Sequence, residues 1–348
     1  MIPAGGWRKV VRWAAYGVAA RVRPDDRFVQ RRLRVLRPRR LGERTALRAV
    51  AIGTTGLCNA SCIHCPTGKA ITAHVPRTPM DMALFRGIVD TIFDQGWSVG
   101  SMHFGLFGDG LVDPSIVERC RYARERLPDI MLDVNTNGAA FDPGRHAALA
   151  DHVSLVTLHC ESIRADTYDR LMAPLRLKNV FPKYAPFFDA FPGKVRVSIP
   201  VSRLNLGELD DLRGHFLAQG AREVVFDPLG SRCTEDQTLF RQLALAPVEI
   251  RCTPDIMDDL IVDCDGMVLA CCQDFERRTP IGDVSAGGLV AALADPRRDA
   301  FRRMLDEGRH HAAPTCSRCN GDARTPDFPF DILSTMPAVQ RQNDVAGA

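Results

Sequence analysis

Cysteines are the residues of this chain most able to do chemistry, and their positions are grouped. The sequence of 348 residues contains twelve cysteines, most of them within 58–65, 252–272 and 316–319. Disulfides are rare in a reducing compartment. Thiols at such short spacings are typical of metal ligation rather than of core packing. We therefore expect metal or metal-cluster sites.

The first group reads Cys58-x3-Cys62-x2-Cys65 and directly follows an apolar run that predicts a strand. Three thiolates this close can hold three corners of a [4Fe–4S] cluster and leave one iron without a protein ligand. A structural zinc ion is the alternative, and it would need a fourth ligand, for which His64 is the candidate at hand.

This cysteine spacing resembles the signature of the radical S-adenosylmethionine (SAM) superfamily, which lies in the loop after the first strand of a partial βα barrel. The resemblance implies that the open iron binds SAM. It also implies that one-electron reduction cleaves SAM to a 5′-deoxyadenosyl radical, with a flavodoxin or ferredoxin-type protein as electron donor.

A second segment is similar to the same superfamily. Gly108 and Asp109 lie in a glycine-rich run after the second predicted strand, where the family carries an acidic residue that holds the SAM amino group. Aspartate stands here for the usual glutamate, and a carboxylate can still accept from an ammonium group. By analogy, the resemblance implies further SAM contacts from Asn137, Arg170 and Ser198.

The downstream cysteines resemble the SPASM auxiliary-cluster module, and more closely its shortened form, the Twitch domain. The resemblance implies that Cys252, Cys271, Cys316 and Cys319 hold one auxiliary [4Fe–4S] cluster, and no cysteine follows for another. Cys272 is the rival to Cys271, because neighbours on a strand point to opposite faces. A zinc ribbon with the same thiolates is the alternative.

Alternating strand and helix patterns predict an α/β fold, a partial (β/α)6 barrel with parallel strands and functional residues at the strand ends. The predicted strands are 47–54, 99–105, 130–135, 153–159, 194–201 and 222–227. After residue 235 the pattern predicts a small domain with a β-hairpin over 259–272. The predicted divisions are an extension (1–46), the barrel (47–235), the Twitch-like domain (236–322) and a tail (323–348).

The N-terminal extension holds most of the positive charge. Residues 1–48 contain fourteen Lys or Arg and three acidic residues, whereas the whole chain has a net charge of +3. The pattern predicts an amphipathic helix over 5–22. Three roles are open for it: docking on the barrel, binding an acidic partner, or contacting a membrane surface together with the residues up to 40. We do not expect nucleic acid as a partner. We find no eighteen-residue apolar run and no signal peptide, which predicts a cytoplasmic protein. If the N-terminal segment lies on a membrane surface, the protein would be peripheral to that membrane.

Three reactions remain open for the radical. An epimerase acting on a saccharide-like small molecule is our first expectation, with Cys233 or Cys160 at a strand end as hydrogen donor. A sugar or aminocyclitol dehydrogenase is the second, with Glu161 as general base. A peptide- or protein-modifying enzyme is the third, and residues 1–46 are too short for the recognition domain expected of it.

Overall fold

A nine-stranded mixed sheet organises the protein, for which the computed structural model describes residues 46–323. The strands are β1 (Ala46–Ile52), β2 (Ser98–Phe104), β3 (Met131–Thr136), β4 (Leu155–His159), β5 (Val195–Val201), β6 (Glu223–Pro228), β7 (Pro247–Glu249), β8 (Asp259–Val262), β9 (Met267–Leu269), β10 (Pro280–Asp283) and β11 (Asn320–Asp322). The α-helices are α1 (Met82–Asp94), α2 (Ile116–Arg126), α3 (Pro143–His146), α4 (Ala165–Leu171), α5 (Leu177–Val180), α6 (Tyr184–Ala190), α7 (Leu209–Ala218), α8 (Thr238–Leu243), α9 (Gly288–Leu293) and α10 (Pro296–Asp306).

Strands β1 to β6 are parallel and lie side by side in chain order, which confirms the predicted partial (β/α)6 barrel. Each strand carries buried apolar residues that pack against the helices, as in β5, where Val195, Val197 and Ile199 are fully buried. In several strands, polar residues alternate with these apolar residues. In β4, for example, Thr157 donates to the carboxylate of Asp133. Period-two alternation therefore separates the core from the polar interior.

The predicted hairpin forms from β8 and β9, but it belongs to the barrel sheet. Strand β8 pairs in parallel with β1, and β9 and β10 continue the sheet beyond it. Pairing with β8 removes the open edge that β1 would otherwise present. The hairpin turn uses Gly266 at a φ of +95°, a conformation that glycine adopts without strain.

Residues 165–190 form three short helices, α4, α5 and α6, rather than one long helix. Pro174 and Pro182 account for the breaks, because proline lacks the N–H that an α-helix interior needs. The predicted helix over 5–22, the membrane-surface segment up to residue 40 and the tail after Ala323 lie outside the described residues. Among residues 46–323, no helix has the length and apolar character needed to cross a membrane.

Candidate active site and cluster sites

The loop that carries the first cysteine group is fastened at several points. It follows β1, and its backbone N–H groups at Ser61 and Ile63 donate to the carbonyls of Ala173 and Leu171 at the C-terminal end of α4, at 2.7 and 2.9 Å. The ammonium of Lys69 donates to the carbonyl of Cys62 at 2.8 Å. The loop is therefore held against the carboxyl ends of the barrel strands, as the sequence predicts.

Gly108 lets the loop after β2 lie directly on the cysteine loop. A Cβ at this position would lie 2.4 Å from the carbonyl oxygens of both Leu57 and Thr55. The neighbouring N–H of Asp109 donates to the Leu57 carbonyl at 2.9 Å. The glycine-rich run is thus required by this close backbone approach.

Asp109 is buried, and its carboxylate is already hydrogen-bonded within the protein. It accepts from the N–H groups of Leu111 at 2.9 Å and Asn137 at 2.7 Å, and from the hydroxyl of Thr136. It therefore ties the loop after β2 to the end of β3. The contact of Asp109 with the SAM amino group stays a prediction.

The Asn137 side chain reaches the cysteine loop directly. Its amide donates to Oδ1 of Asn59 at 2.7 Å and lies 3.9 Å from Sγ of Cys58. Asn59 was not singled out from the sequence, and its position inside the cysteine motif is the signal that could have revealed it.

The three thiols of the loop fit an iron–sulfur cluster. Cys58, Cys62 and Cys65 are free and half-buried. Burial and the charge of Asp109 raise the pKa of Cys58 to about 12, and burial also raises the pKa of Cys62. Binding of a metal displaces such protons and leaves thiolate ligands.

The side chains of the described residues do not converge on a single metal ion. Within residues 46–323, no three His, Cys, Asp or Glu side chains converge closely enough to hold a single ion. Zinc ligands meet at one centre. The ligands of a [4Fe–4S] cluster sit at its separate iron corners and need not converge in this way.

A buried acid–base pair lies beside the cysteine loop at the end of β4. The side chains of Glu161 and His64 are 4% and 7% exposed, and Oε2 of Glu161 lies 3.5 Å from Nδ1 of His64. Neither atom has a hydrogen-bond partner among the described residues. Burial raises the pKa of Glu161 to about 8, while the Arg232 guanidinium opposes this increase. Burial lowers the pKa of His64 to about 3, so the imidazole is neutral.

Arg232 follows β6 and was not singled out from the sequence. Its guanidinium donates to Oε1 of Gln273 at 3.2 Å and lies 5.3 Å from the centroid of the Phe275 ring. Its Nε is buried without a partner among the described residues. The electrostatic influence of Arg232 on Glu161 and on Cys272 places it between the two cysteine groups.

The other predicted site residues are dispersed. Ser198 is buried in the barrel interior and donates to Asp227 at 2.5 Å. Arg170 is exposed on α4. Cys160 is fully buried in the core, and its thiol donates to the carbonyl of Ser162 at 3.2 Å. The structure thus brings Ser198 to the barrel interior but places Arg170 and Cys160 elsewhere.

Strand pairing assembles the second cysteine group. Strands β7 and β11 are antiparallel, with Glu249 opposite Asn320. Cys252 follows β7 and Cys319 precedes β11, so both thiols come to the same end of the pair. Electrostatic interactions link Cys316 to both of them.

The loop after β9 supplies the remaining thiols. Asp274 is buried and accepts from the N–H groups of Arg278 and Thr279, which shapes this loop. The thiols of Cys271 and Cys272 contact each other, and Cys272 also packs on the apolar cluster that includes Phe107 and Phe275. Both thiols lie at the second site, and the choice of Cys271 as ligand stays a prediction.

The comparisons with known proteins agree with this arrangement. Residues 252–320 match the SPASM family, an iron–sulfur cluster-binding domain. This range includes all four predicted auxiliary ligands. No curated protein matches the chain.

Solved structures share the fold. BtrN in complex with AdoMet and 2-DOIA is 18% identical with a TM-score of 0.53, over 78% of this chain and 92% of that chain. Native anSMEcpe with bound AdoMet is 12% identical with a TM-score of 0.55, over 74% and 83%. SuiB of Streptococcus suis bound to the precursor peptide SuiA is 12% identical with a TM-score of 0.57, over 84% and 76%.

The family match confirms an iron–sulfur cluster-binding domain at the second cysteine group. The SPASM domain lies where the auxiliary ligands were predicted, and the cysteine triplet lies in the loop after β1 of the shared fold. The chain therefore contains a SPASM iron–sulfur cluster-binding domain at residues 252–320, and it shares its fold with the solved structures of BtrN, anSMEcpe and SuiB.

Proposed function

We propose that the chain is a radical SAM enzyme, and that it is a dehydrogenase that oxidises an alcohol of a saccharide-like small molecule to a ketone. Cys58, Cys62 and Cys65 would hold the cluster that binds SAM, and the second cysteine group would hold the auxiliary cluster. Together these groups would supply an acceptor for the carbon-bound hydrogen atom and an acceptor for one electron. Glu161 accepts the hydroxyl proton, so that the two hydrogens and two electrons of the oxidation are accounted for.

The carrying observation is the buried Oε2 of Glu161, which has no hydrogen-bond partner among the described residues. This oxygen is also inaccessible to solvent. An unsatisfied buried oxygen is costly, and a substrate hydroxyl would satisfy it. Glu161 follows β4 at the carboxyl end of the barrel strands, where barrel enzymes place their catalytic groups.

The ionisation of Glu161 also supports this role. Its pKa of about 8 means that the ionised carboxylate is a stronger proton acceptor than an exposed glutamate. The charge of the Arg232 guanidinium lowers the pKa of Glu161. The neutral imidazole of His64 lies beside the carboxylate, with Nδ1 3.5 Å from Oε2.

The positions of the thiols favour oxidation over epimerisation, our first expectation from the sequence. Cys160 lies in the core and bonds to the Ser162 carbonyl, and Cys233 contacts Cys319 of the second cysteine group. Epimerisation is the second candidate because Cys272 lies near Arg232 and has a pKa lowered to about 6, mainly through Cys271. In that case Cys272 would be the hydrogen donor.

Two kinds of observation support a small polyhydroxylated substrate. The barrel interior carries polar pairs near the strand ends, such as Ser198 with Asp227 and His159 with Asn135, which suit hydroxyl recognition. BtrN, which has the same fold, is solved with 2-DOIA. SuiB is solved with a precursor peptide, so a peptide substrate is an outcome that the experiment must distinguish.

The test is product analysis with candidate saccharides and aminocyclitols in deuterated buffer. The reductant is a flavodoxin or ferredoxin-type protein, which we propose as the electron donor. A ketone formed together with 5′-deoxyadenosine, without solvent deuterium at the reacting carbon, supports the dehydrogenase. An inverted alcohol that contains solvent deuterium would establish the epimerase instead. Turnover of a peptide but of no saccharide would contradict both.

A further inference from the structure

Three polar residues on the neighbouring strands β2 and β3 form a hydrogen-bonded chain. Oγ of Ser101 lies 2.8 Å from Nε2 of His103, and Nδ1 of His103 lies 3.3 Å from Oδ2 of Asp133. The parallel pairing of β2 with β3 places His103 directly opposite Asp133, and Ser101 precedes His103 by two residues on the same face. A serine, a histidine and an aspartate joined in this order correspond to a nucleophile, its base and the group that orients the base.

The hydrogen-bonding partners decide which nitrogen of the imidazole carries the proton. Asp133 is buried, and both of its carboxylate oxygens accept from the Thr157 hydroxyl at 2.9 Å. The Arg196 guanidinium lies 3.8 Å from Oδ2 of Asp133 as well. A carboxylate only accepts hydrogen bonds, so Nδ1 of the neutral His103 ring donates to it and Nε2 keeps its lone pair. Ser101 then donates its hydroxyl proton to Nε2, which is the direction that activates a serine oxygen for attack.

This group lies apart from both cysteine sites. Ser101 pairs with Met131, the first residue of β3, so the group lies in the amino-terminal half of the sheet. Ser101 is also three residues before Phe104, the last residue of β2, which corresponds to about 10 Å along a strand. The first cysteine loop follows the opposite, carboxyl end of β1. The His103 side chain is 27% exposed and Ser101 is half-buried, so both are accessible from solvent.

We propose that Ser101 and His103, with Asp133 as the orienting residue, form a second catalytic site that hydrolyses small activated esters. Oγ of Ser101 attacks the carbonyl carbon while its proton passes to Nε2 of His103, and the leaving alcohol takes that proton as its bond to the carbonyl carbon breaks. Water then attacks the acyl-serine with His103 again as base, which releases the carboxylic acid and restores the serine hydroxyl. No electron is transferred and neither SAM nor a cluster takes part, so this site is independent of the proposed dehydrogenase reaction.

The test uses the full-length, anaerobically reconstituted protein without SAM or reductant. A fluorophosphonate probe is added and the labelled residue is identified by peptide mass spectrometry, while hydrolysis of p-nitrophenyl acetate is followed in parallel. Ser101→Ala removes the nucleophile, and His103→Gln removes the base. Ser98→Ala is the matched control, because Ser98 is an exposed serine at the start of the same strand. Circular dichroism and iron content show whether each variant folds.

We expect the probe to label Ser101 in the wild type. Ser101→Ala and His103→Gln should lose this label and hydrolyse the ester about 10²-fold more slowly, the lower end of what a general base contributes, and Ser98→Ala should match the wild type. Absence of label at Ser101 in the wild type would overturn the proposal, and this result does not depend on the folding of any variant. A hydrolysis rate in folded Ser101→Ala within about threefold of the wild-type rate would overturn it as well.

Discussion

Replacing Glu161 by glutamine tests the proposed base, because the change removes the ionisable group and keeps nearly the same shape. Burial raises the pKa of the carboxyl from 4.5 to about 8. At about 1.4 kcal/mol per pKa unit, ionising it in the folded protein costs on the order of 5 kcal/mol. The ionised fraction then rises from about a tenth at pH 7 to about nine tenths at pH 9.

The wild-type rate of ketone formation at saturating substrate should therefore rise about tenfold between pH 7 and pH 9. In Glu161→Gln the rate should fall by about 10² to 10⁴, the usual contribution of a general base, and lose this pH dependence. Cleavage of SAM to 5′-deoxyadenosine should continue in the variant. Lys178→Gln is a control, because Lys178 is exposed on α5 and should leave both activities unchanged.

Stability gives a second readout of the same carboxyl. The folded-state pKa of Glu161 lies above its unfolded value, so the stability that the neutral form provides is present below about pH 4.5 and is lost progressively up to about pH 8. The melting temperature of the wild type should therefore fall more steeply over this pH range than that of Glu161→Gln. A variant that forms ketone within threefold of the wild-type rate, with parallel melting curves, would refute the assignment.

Three further changes test other parts of the site. Gly108→Ala places a Cβ 2.4 Å from two carbonyl oxygens, so it should displace the cysteine loop and lower the iron content of the first cluster, measured by iron analysis. Cys316→Ala with Cys319→Ala should remove about four irons per chain and reduce product formation more than SAM cleavage, measured by chromatography of both products. Arg232→Gln removes the cation that lowers the pKa of Glu161, so the pH–rate profile should move to higher pH.

The barrel and both cysteine sites could be predicted because their signals are local. Apolar runs of period two mark the six parallel strands, and short cysteine spacings mark the candidate ligands whatever the path of the chain between them. The sequence did not reveal that β8 pairs with β1 and joins the hairpin to the barrel sheet. That pairing joins segments about two hundred residues apart, and no local pattern specifies it.

Side-chain direction limited the prediction of the catalytic residues. Cys160 and Cys233 both follow barrel strands, which suggested two donors at one face. The structure turns Cys160 into the core, while the left-handed turn at Arg232 and Cys233 directs the second thiol to Cys319. Left-handed φ values at residues other than glycine are not encoded in a recognisable turn signal, so this arrangement emerges only from the folded chain.

Iron analysis of the first-cluster variant, combined with SAM cleavage, tests the central claim most directly. Wild-type protein reconstituted without oxygen should hold about eight irons per chain, and replacing Cys58, Cys62 and Cys65 by alanine should leave about four. The same variant should form no 5′-deoxyadenosine, because the open iron that binds SAM belongs to the lost cluster. Full iron content with undiminished SAM cleavage in this variant would contradict the account.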